Sequence, residues 1–346
     1  MSGPVQYSDA AAPQTQPAGA SVRVCQRCKV MSRVDVRFCG LCGAPAAFTM
    51  ETAITDTPER TVSHTLLGEE QVQDRHEIRA GRSIAITDRG VRHRRNEDAV
   101  ALRTLKPTSQ DATEATLCVV CDGVSSTSRA HEASTVAAEV GIAALAVALE
   151  DGTDPTDATR QAFHRAAAAV AHLADPTPAT SDVPSCTYIS VVVMGGTVTV
   201  GWVGDSRAYW LPDADRHRAI MLTEDDSWLT AVLAAGDLDP LQAAADHRAH
   251  AITGWLGGNS PNPHPHCTTV CPGEPGVVLV CTDGLWRYMA SPLEMSAAVP
   301  ASPTEDALVV AQELVRQALR AGGRDNTTVA LLPVGNNADD NAKEEP

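Results

Sequence analysis

Residues 186–207 read CTYISVVVMGGTVTVGWVGDSR: two β-rich runs joined by Gly195-Gly196 and closed by an acidic corner. Val, Ile, Tyr and Thr favour strands. Two adjacent glycines supply the positive φ angles that a two-residue hairpin turn requires. The spacing predicts strands over 186–194 and 197–203, with 208–211 continuing the antiparallel meander. Outward from this hairpin, 83–87, 115–121, 276–281 and 327–333 predict further strands, and 115–121 is an almost unbroken apolar run. Residues 129–150 and 155–174 are Ala-rich and predict helices, as do 225–235 and 304–321. Hairpins interspersed with separate helices imply an α+β layered fold, antiparallel sheets covered by helices.

Of the 346 residues 43% are hydrophobic but only 3% aromatic, so the core must rest on Ala, Val, Leu and Ile. The formal charge of −16 argues against a nucleic-acid binder, which needs a basic face. A chain this acidic can bind phosphate only where positive charge is supplied locally, and bound metal ions supply it. The N-terminus lacks the charged start and apolar run of an export signal. The longest apolar stretch, 136–149, is about 14 residues, too short for a membrane span. Ten cysteines in such a chain point to metal binding and free thiols. The cytoplasm is the expected compartment, without membrane association. Composition divides the chain into a disordered segment (1–20), a cysteine-bearing module (21–48), a linker (49–77), a globular domain (78–335) and an acidic tail (336–346).

Carboxylates recur at the ends of the apolar runs: Asn96-Glu97-Asp98, Asp122-Gly123, Gly204-Asp205-Ser206-Arg207, Asp283-Gly284 and Asp325-Asn326. One Asp-Gly is an ordinary turn. Five such corners, if they converge, repel one another unless divalent cations neutralise them. All-oxygen donors suit Mg²⁺ or Mn²⁺.

The segment from Thr87-Asp88-Arg89-Gly90 to Asn96-Glu97-Asp98-Ala99 resembles the opening motif of the metal-dependent PPM (type 2C) serine/threonine protein phosphatases. The resemblance continues in order through Asp122-Gly123, Gly204-Asp205-Ser206-Arg207, Leu222-Thr223-Glu224-Asp225, Thr282-Asp283-Gly284-Leu285-Trp286 and Gly323-Arg324-Asp325-Asn326-Thr327. It implies two antiparallel β-sheets sandwiched between helices (αββα), and hydrolysis of phosphoserine and phosphothreonine in proteins by a hydroxide shared by two Mg²⁺ or Mn²⁺ ions. By the same resemblance Asp122 bridges the ions, Asp283 and Asp325 complete the first, and Glu97 and the Gly123 carbonyl serve the second. Asp98 orients water, and Asp205 with Asp283 offers a weaker third site. Implied partners are phosphoprotein substrates, including those of a Ser/Thr kinase.

The chain departs from that pattern twice. His93 stands where the family often has a phosphate-binding Arg; it is a candidate phosphate contact, with Arg92 and Arg94 beside it as substitutes. Asp226 replaces the family's usual His, at a place where Asp and Ser start helices well. The alternative reading is a pseudophosphatase scaffold that recruits partners. The stretch 233–266 matches a variable flap, and the alternating prolines around His264, His266 and Cys267 predict an extended loop there, not a metal site.

Cys25-x2-Cys28 and Cys39-x2-Cys42 form two knuckles, the pattern of one structural, tetrahedral Zn²⁺ in a small zinc ribbon. Its expected partner is a protein. Cys118 and Cys121 share the CxxC spacing but sit in a strand, where alternation sends them to opposite faces as buried thiols.

Overall fold

Gly195 and Gly196 have φ of 58° and 78°, the pair of positive angles of a two-residue hairpin turn, between Met194 and its partner Thr197. The computed structural model describes residues 75–107, 113–174, 183–260, 264–299 and 307–335, and the backbone of 22–25, 31–33 and 48–51.

Three short strands, β1 (Val22–Cys25), β2 (Met31–Arg33) and β3 (Phe48–Glu51), pair antiparallel in the order β2-β1-β3. Next come β4 (Arg75–Ala80), β5 (Ser83–Asp88), β6 (Ala99–Leu105) and β7 (Ala115–Cys121). Helices α1 (Ala130–Glu150) and α2 (Pro155–Ala171) lead to β8 (Ser185–Cys186), β9 (Tyr188–Met194), β10 (Thr197–Val203), β11 (Arg207–Pro212) and β12 (Ile220–Met221). Then follow α3 (Trp228–Ala235), α4 (Pro240–Ala245), β13 (Leu256–Gly257), β14 (His266–Val270) and β15 (Gly276–Cys281). Helices α5 (Asp283–Trp286), α6 (Pro292–Ala298) and α7 (Ala307–Arg320) precede the last strand, β16 (Thr327–Val334).

Two antiparallel sheets form the body, with strand orders β14-β10-β9-β7-β6 and β12-β11-β15-β16-β5-β4. Alternation explains the apolar runs. On β7, Leu117, Val119 and Cys121 face α1 and α2, while Cys118 and Val120 face the other sheet. On β15, Val277 and Leu279 pack toward α5 to α7, and Val278 and Val280 enter the space between the sheets. Strands buried on both faces cannot alternate apolar with polar. Each fully buried Val or Leu contributes about 1.5–3 kcal/mol. The order is helix, sheet, sheet, helix, as the resemblance implies. Cys118 and Cys121 are buried free thiols on opposite faces.

Helix α1, 21 residues long where 129–150 was expected, is apolar enough by composition to cross a membrane, so its apolar stretch is longer than the roughly 14 residues read from the sequence. It packs instead against α2 and β7 with Ala137, Ala144 and Leu145 fully or nearly buried. Four other expectations change. Strand β11 leaves the hairpin's sheet and joins the other one, pairing Arg207 with Cys281, because Gly204 at φ 101° turns the chain across. The stretch 49–77 is strand at both ends, in β3 and β4. The helix expected over 225–235 begins at Trp228, where Ser227 caps it by accepting from Thr230 N. His266 and Cys267 lie in the edge strand β14, paired with Trp202 and Gly201, rather than in a loop.

Candidate active site

The acidic corners meet at one edge of the sandwich. Register puts Asp88 beside Thr327, Ala99 beside Cys121 and Arg207 beside Cys281, so the segments carrying Asp98, Asp122, Asp205, Asp283 and Asp325 leave their strands on the same side. Helix α5 approaches closely enough that a Cβ at Gly284 would lie 1.8 Å from the Asn326 carbonyl oxygen, which draws Asp283 and Asp325 together. Gly123 is also confined: a Cβ there would meet the Glu97 carbonyl oxygen at 2.7 Å.

Hydroxyls and one amide hold the carboxylates in place. Asp98 Oδ2 accepts from Thr282 Oγ1 at 2.9 Å and from Thr328 Oγ1 at 2.7 Å, whereas its buried Oδ1 receives no hydrogen bond. Asp122 is fixed through its backbone, donating to Thr187 Oγ1 and accepting from Thr187 N. That bond also interrupts the strand expected over 186–194. Asn326 Oδ1 accepts from Glu97 N at 2.7 Å, and its amide donates to the carbonyls of Arg89 and Arg95. Trp286 Nε1 donates to the Asp205 carbonyl at 2.8 Å.

Burial dominates the electrostatics. It raises Asp98 and Asp205 to about 7 and Asp283 to about 6, with neighbouring carboxylates adding to the rise. Asp122 is pushed well above its ordinary value by burial and then by Asp98, Asp283, Asp205 and Asp325. Two basic side chains reach the cluster. Arg287 Nη2 lies 2.5 Å from Asp283 Oδ2, and His93 Nε2 lies 3.1 Å from Asp325 Oδ1. Among the described residues no three His, Cys, Asp or Glu side chains converge on one ligation point, and Arg287 and His93 each pair with a carboxylate of the cluster. The donors nevertheless fit hard divalent ions: all are oxygens, and Asp98 Oδ1 and Asp283 Oδ1 are buried without an N–H or O–H donor.

The candidate ligands Glu97, Asp98, Asp122, Gly123, Asp205, Asp283 and Asp325 are thus brought to one edge. His93 pairs with a ligand carboxylate, and Arg92 and Arg94 are exposed on the same loop. Asp226 does not cap the helix. Its Oδ2 accepts from Gly204 N at 2.9 Å and its Oδ1 pairs with His266 Nε2 at 2.8 Å, tying the flap's base to the Asp205 corner. Thr187, Thr328 and Arg287 escaped the sequence reading, and Thr282 was quoted in a motif without a role; only the fold aims the Thr282 and Thr328 hydroxyls at Asp98. Cys25 lies in β1, and Cys28, Cys39 and Cys42 fall outside the described residues.

Residues 89–320 match the family described as protein phosphatase 2C. The serine/threonine protein phosphatase PstP of Mycobacterium tuberculosis is 27% identical over 255 residues, covering 73% of this chain and 45% of that protein. The chain therefore spans less than half the length of this curated relative. A crystal structure of PstP aligns at 26% identity with a TM-score of 0.56, over 73% of this chain and 98% of the solved one. A second structure of the PstP catalytic domain, in complex with two manganese ions, aligns at 24% identity and TM-score 0.52 over the same 73% and 98%, which speaks for the fold.

Proposed function

This chain belongs to the protein phosphatase 2C family, and from that premise we propose that it hydrolyses phosphoserine and phosphothreonine in proteins with two Mg²⁺ or Mn²⁺ ions. The observation that carries this reading is the gathering of five Asp carboxylates at one edge, with buried oxygens on Asp98 and Asp283 that no donor covers. The catalytic domain of PstP was solved with two manganese ions. In this chain Asp122, Asp283 and Asp325, with Glu97 and the Gly123 carbonyl, would hold the ions.

Divalent ions bound there supply a hydrolytic nucleophile at neutral pH and neutralise charge on the phosphoryl oxygens. The chain's own residues orient the reactants. Asp98, with Oδ2 anchored by Thr282 and Thr328, offers Oδ1 to the attacking water as proton acceptor. His93 holds Asp325 and stands beside the incoming phosphate, and Arg92 and Arg94 lend the loop positive charge. The scaffold alternative has no observation in its favour, since no carboxylate of the set is lost.

The proposal extends to the chain's surroundings. Substrates are phosphoproteins made by a Ser/Thr kinase, and the site of action is the cytoplasm, a compartment suited to the free thiols of Cys118, Cys121, Cys186 and Cys281. Cys25, Cys28, Cys39 and Cys42 hold one structural Zn²⁺, in a module that docks a protein. The central test is hydrolysis of a phosphothreonine peptide with and without Mn²⁺, beside Asp283→Ala. Turnover that needs Mn²⁺ and disappears in the variant is expected; metal-independent turnover, or none from Mn²⁺-loaded protein, would sink the proposal.

A further inference from the structure

The two oxygens of Asp283 have different surroundings. Oδ1 is buried and receives no hydrogen bond, and the carboxylate of Asp122 lies close to the side chain. Oδ2 is taken by the guanidinium of Arg287, at 2.5 Å, the residue that follows the end of α5. The same guanidinium lies 3.8 Å from Asp325 Oδ2, and its charge is also felt at Asp205. A carboxylate shared between two cations gives one oxygen to each. Here one oxygen remains for a divalent ion and the other already has its cation.

We infer that Arg287 occupies the place a third divalent ion would take between Asp205 and Asp283, and so makes this a two-ion site with a built-in organic cation. The inference rests on the phosphatase reading above and replaces the weaker third site that sequence resemblance implied. Charge supports it: six crowded carboxylates, Glu97 and the five Asp, exceed the charge of two divalent ions, and a guanidinium offsets part of the remainder. Geometry supports it too. Asp283 and Arg287 are four residues apart on one helical face, so the pair forms without distortion. Arg287 also lines a cavity of about 480 Å³ with Trp286, Tyr288, His250, Arg324 and Asp325, open to the carboxylate edge.

The test counts Mn²⁺ bound to the full chain by equilibrium dialysis and electron paramagnetic resonance, with Zn²⁺ counted separately. Wild-type protein is expected to hold two Mn²⁺, and Arg287→Lys also two. Arg287→Asp, which adds a carboxylate facing Asp283, and Arg287→Ala are each expected to gain a third. Circular dichroism establishes that each variant is folded. Three ions on wild type would overturn the inference while leaving the phosphatase reading intact, and so would two ions on folded Arg287→Ala or Arg287→Asp. If neither variant folds, the wild-type count decides alone: two supports the inference and three overturns it. Wild-type protein that binds no Mn²⁺ would overturn both.

Discussion

Arg207 holds Asp225 through two guanidinium nitrogens, Nε at 2.9 Å and Nη2 at 2.7 Å, with its Cζ 3.6 Å above the Trp286 ring. Arg207 comes from the Gly204-Asp205-Ser206-Arg207 corner and Asp225 from the Leu222-Thr223-Glu224-Asp225 segment. Trp286 then donates to the Asp205 carbonyl. Two motifs that hold no reacting group besides Asp205 therefore form the floor under it. Both side chains are little exposed, at 13% and 12%, so losing one strands the other's charge. Arg207→Ala is expected to destabilise the domain by about 3 kcal/mol. Urea unfolding measures this, and a loss below about 1 kcal/mol, the size of an exposed pair, would contradict it.

The crowded carboxylates make a second prediction, for protein stripped of metal by chelation. Burial raises Asp98 and Asp205 to about 7 and Asp283 to about 6, against an ordinary Asp value of about 3.9. The folded state thus binds these protons more tightly than the unfolded one. Their stabilising contribution is complete below the ordinary value and is lost as pH rises through about 7. Metal-free protein should melt at a higher temperature at pH 5 than at pH 8, and Mn²⁺ should restore the loss at pH 8. Thermal melts in chelator at both pH values check the sign; a higher melting point at pH 8 would refute it.

His93 separates two roles that sequence alone merges. Its Nε2 sits 3.1 Å from Asp325 Oδ1, the position of a residue that orients a metal ligand. Loss of such a partner weakens metal affinity by roughly 10–100-fold. His93→Ala should therefore need more Mn²⁺ for half-maximal rate yet recover its kcat at saturating Mn²⁺. A variant with unchanged Mn²⁺ dependence and a raised KM for phosphopeptide would mark His93 as a phosphate contact instead.

The cysteine module gives the fourth prediction. Cys39→Ser should reduce bound zinc from one equivalent per chain to none, because three thiolates do not close a tetrahedral site. The melting of the phosphatase domain should not shift with it. Elemental analysis and calorimetry on the same samples read both quantities. Zinc retained in the variant would remove Cys39 from the ligand set.

Much of this was legible in the sequence, for identifiable reasons. Gly195-Gly196 and the β-branched runs on either side specify a hairpin locally, and the structure has it with the expected register. The apolar runs 115–121 and 276–281 are strands, and only Thr116, itself a strand-favouring residue, departs from apolar character in them. The destination of β11 was not legible, since the chain crosses between sheets at Gly204 and nothing local to 208–211 names the sheet it joins. Strand β14 was hidden by prolines that precede it rather than lie in it. At the site, the carboxylates that meet at the sheet edge were readable as strand-end Asp residues. Their supports were not. Thr282 and Thr328 reach Asp98 from 184 and 230 residues away, and only the completed sheet brings them there.

Strand β16 is the last strand of the phosphatase domain, yet it lies in the interior of its sheet, between β15 and β5. Just before it, Asn326 clamps Glu97, Arg89 and Arg95. During synthesis the ribosome therefore releases almost every acidic residue before the strand that seats them. Until β16 is made, the nascent chain carries that sheet as two pieces with open edges, β12-β11-β15 and β5-β4. A chain that stops before Asn326 would lack both the strand that joins the two pieces and the side chain that seats Glu97, so the acidic corners would not be assembled in part.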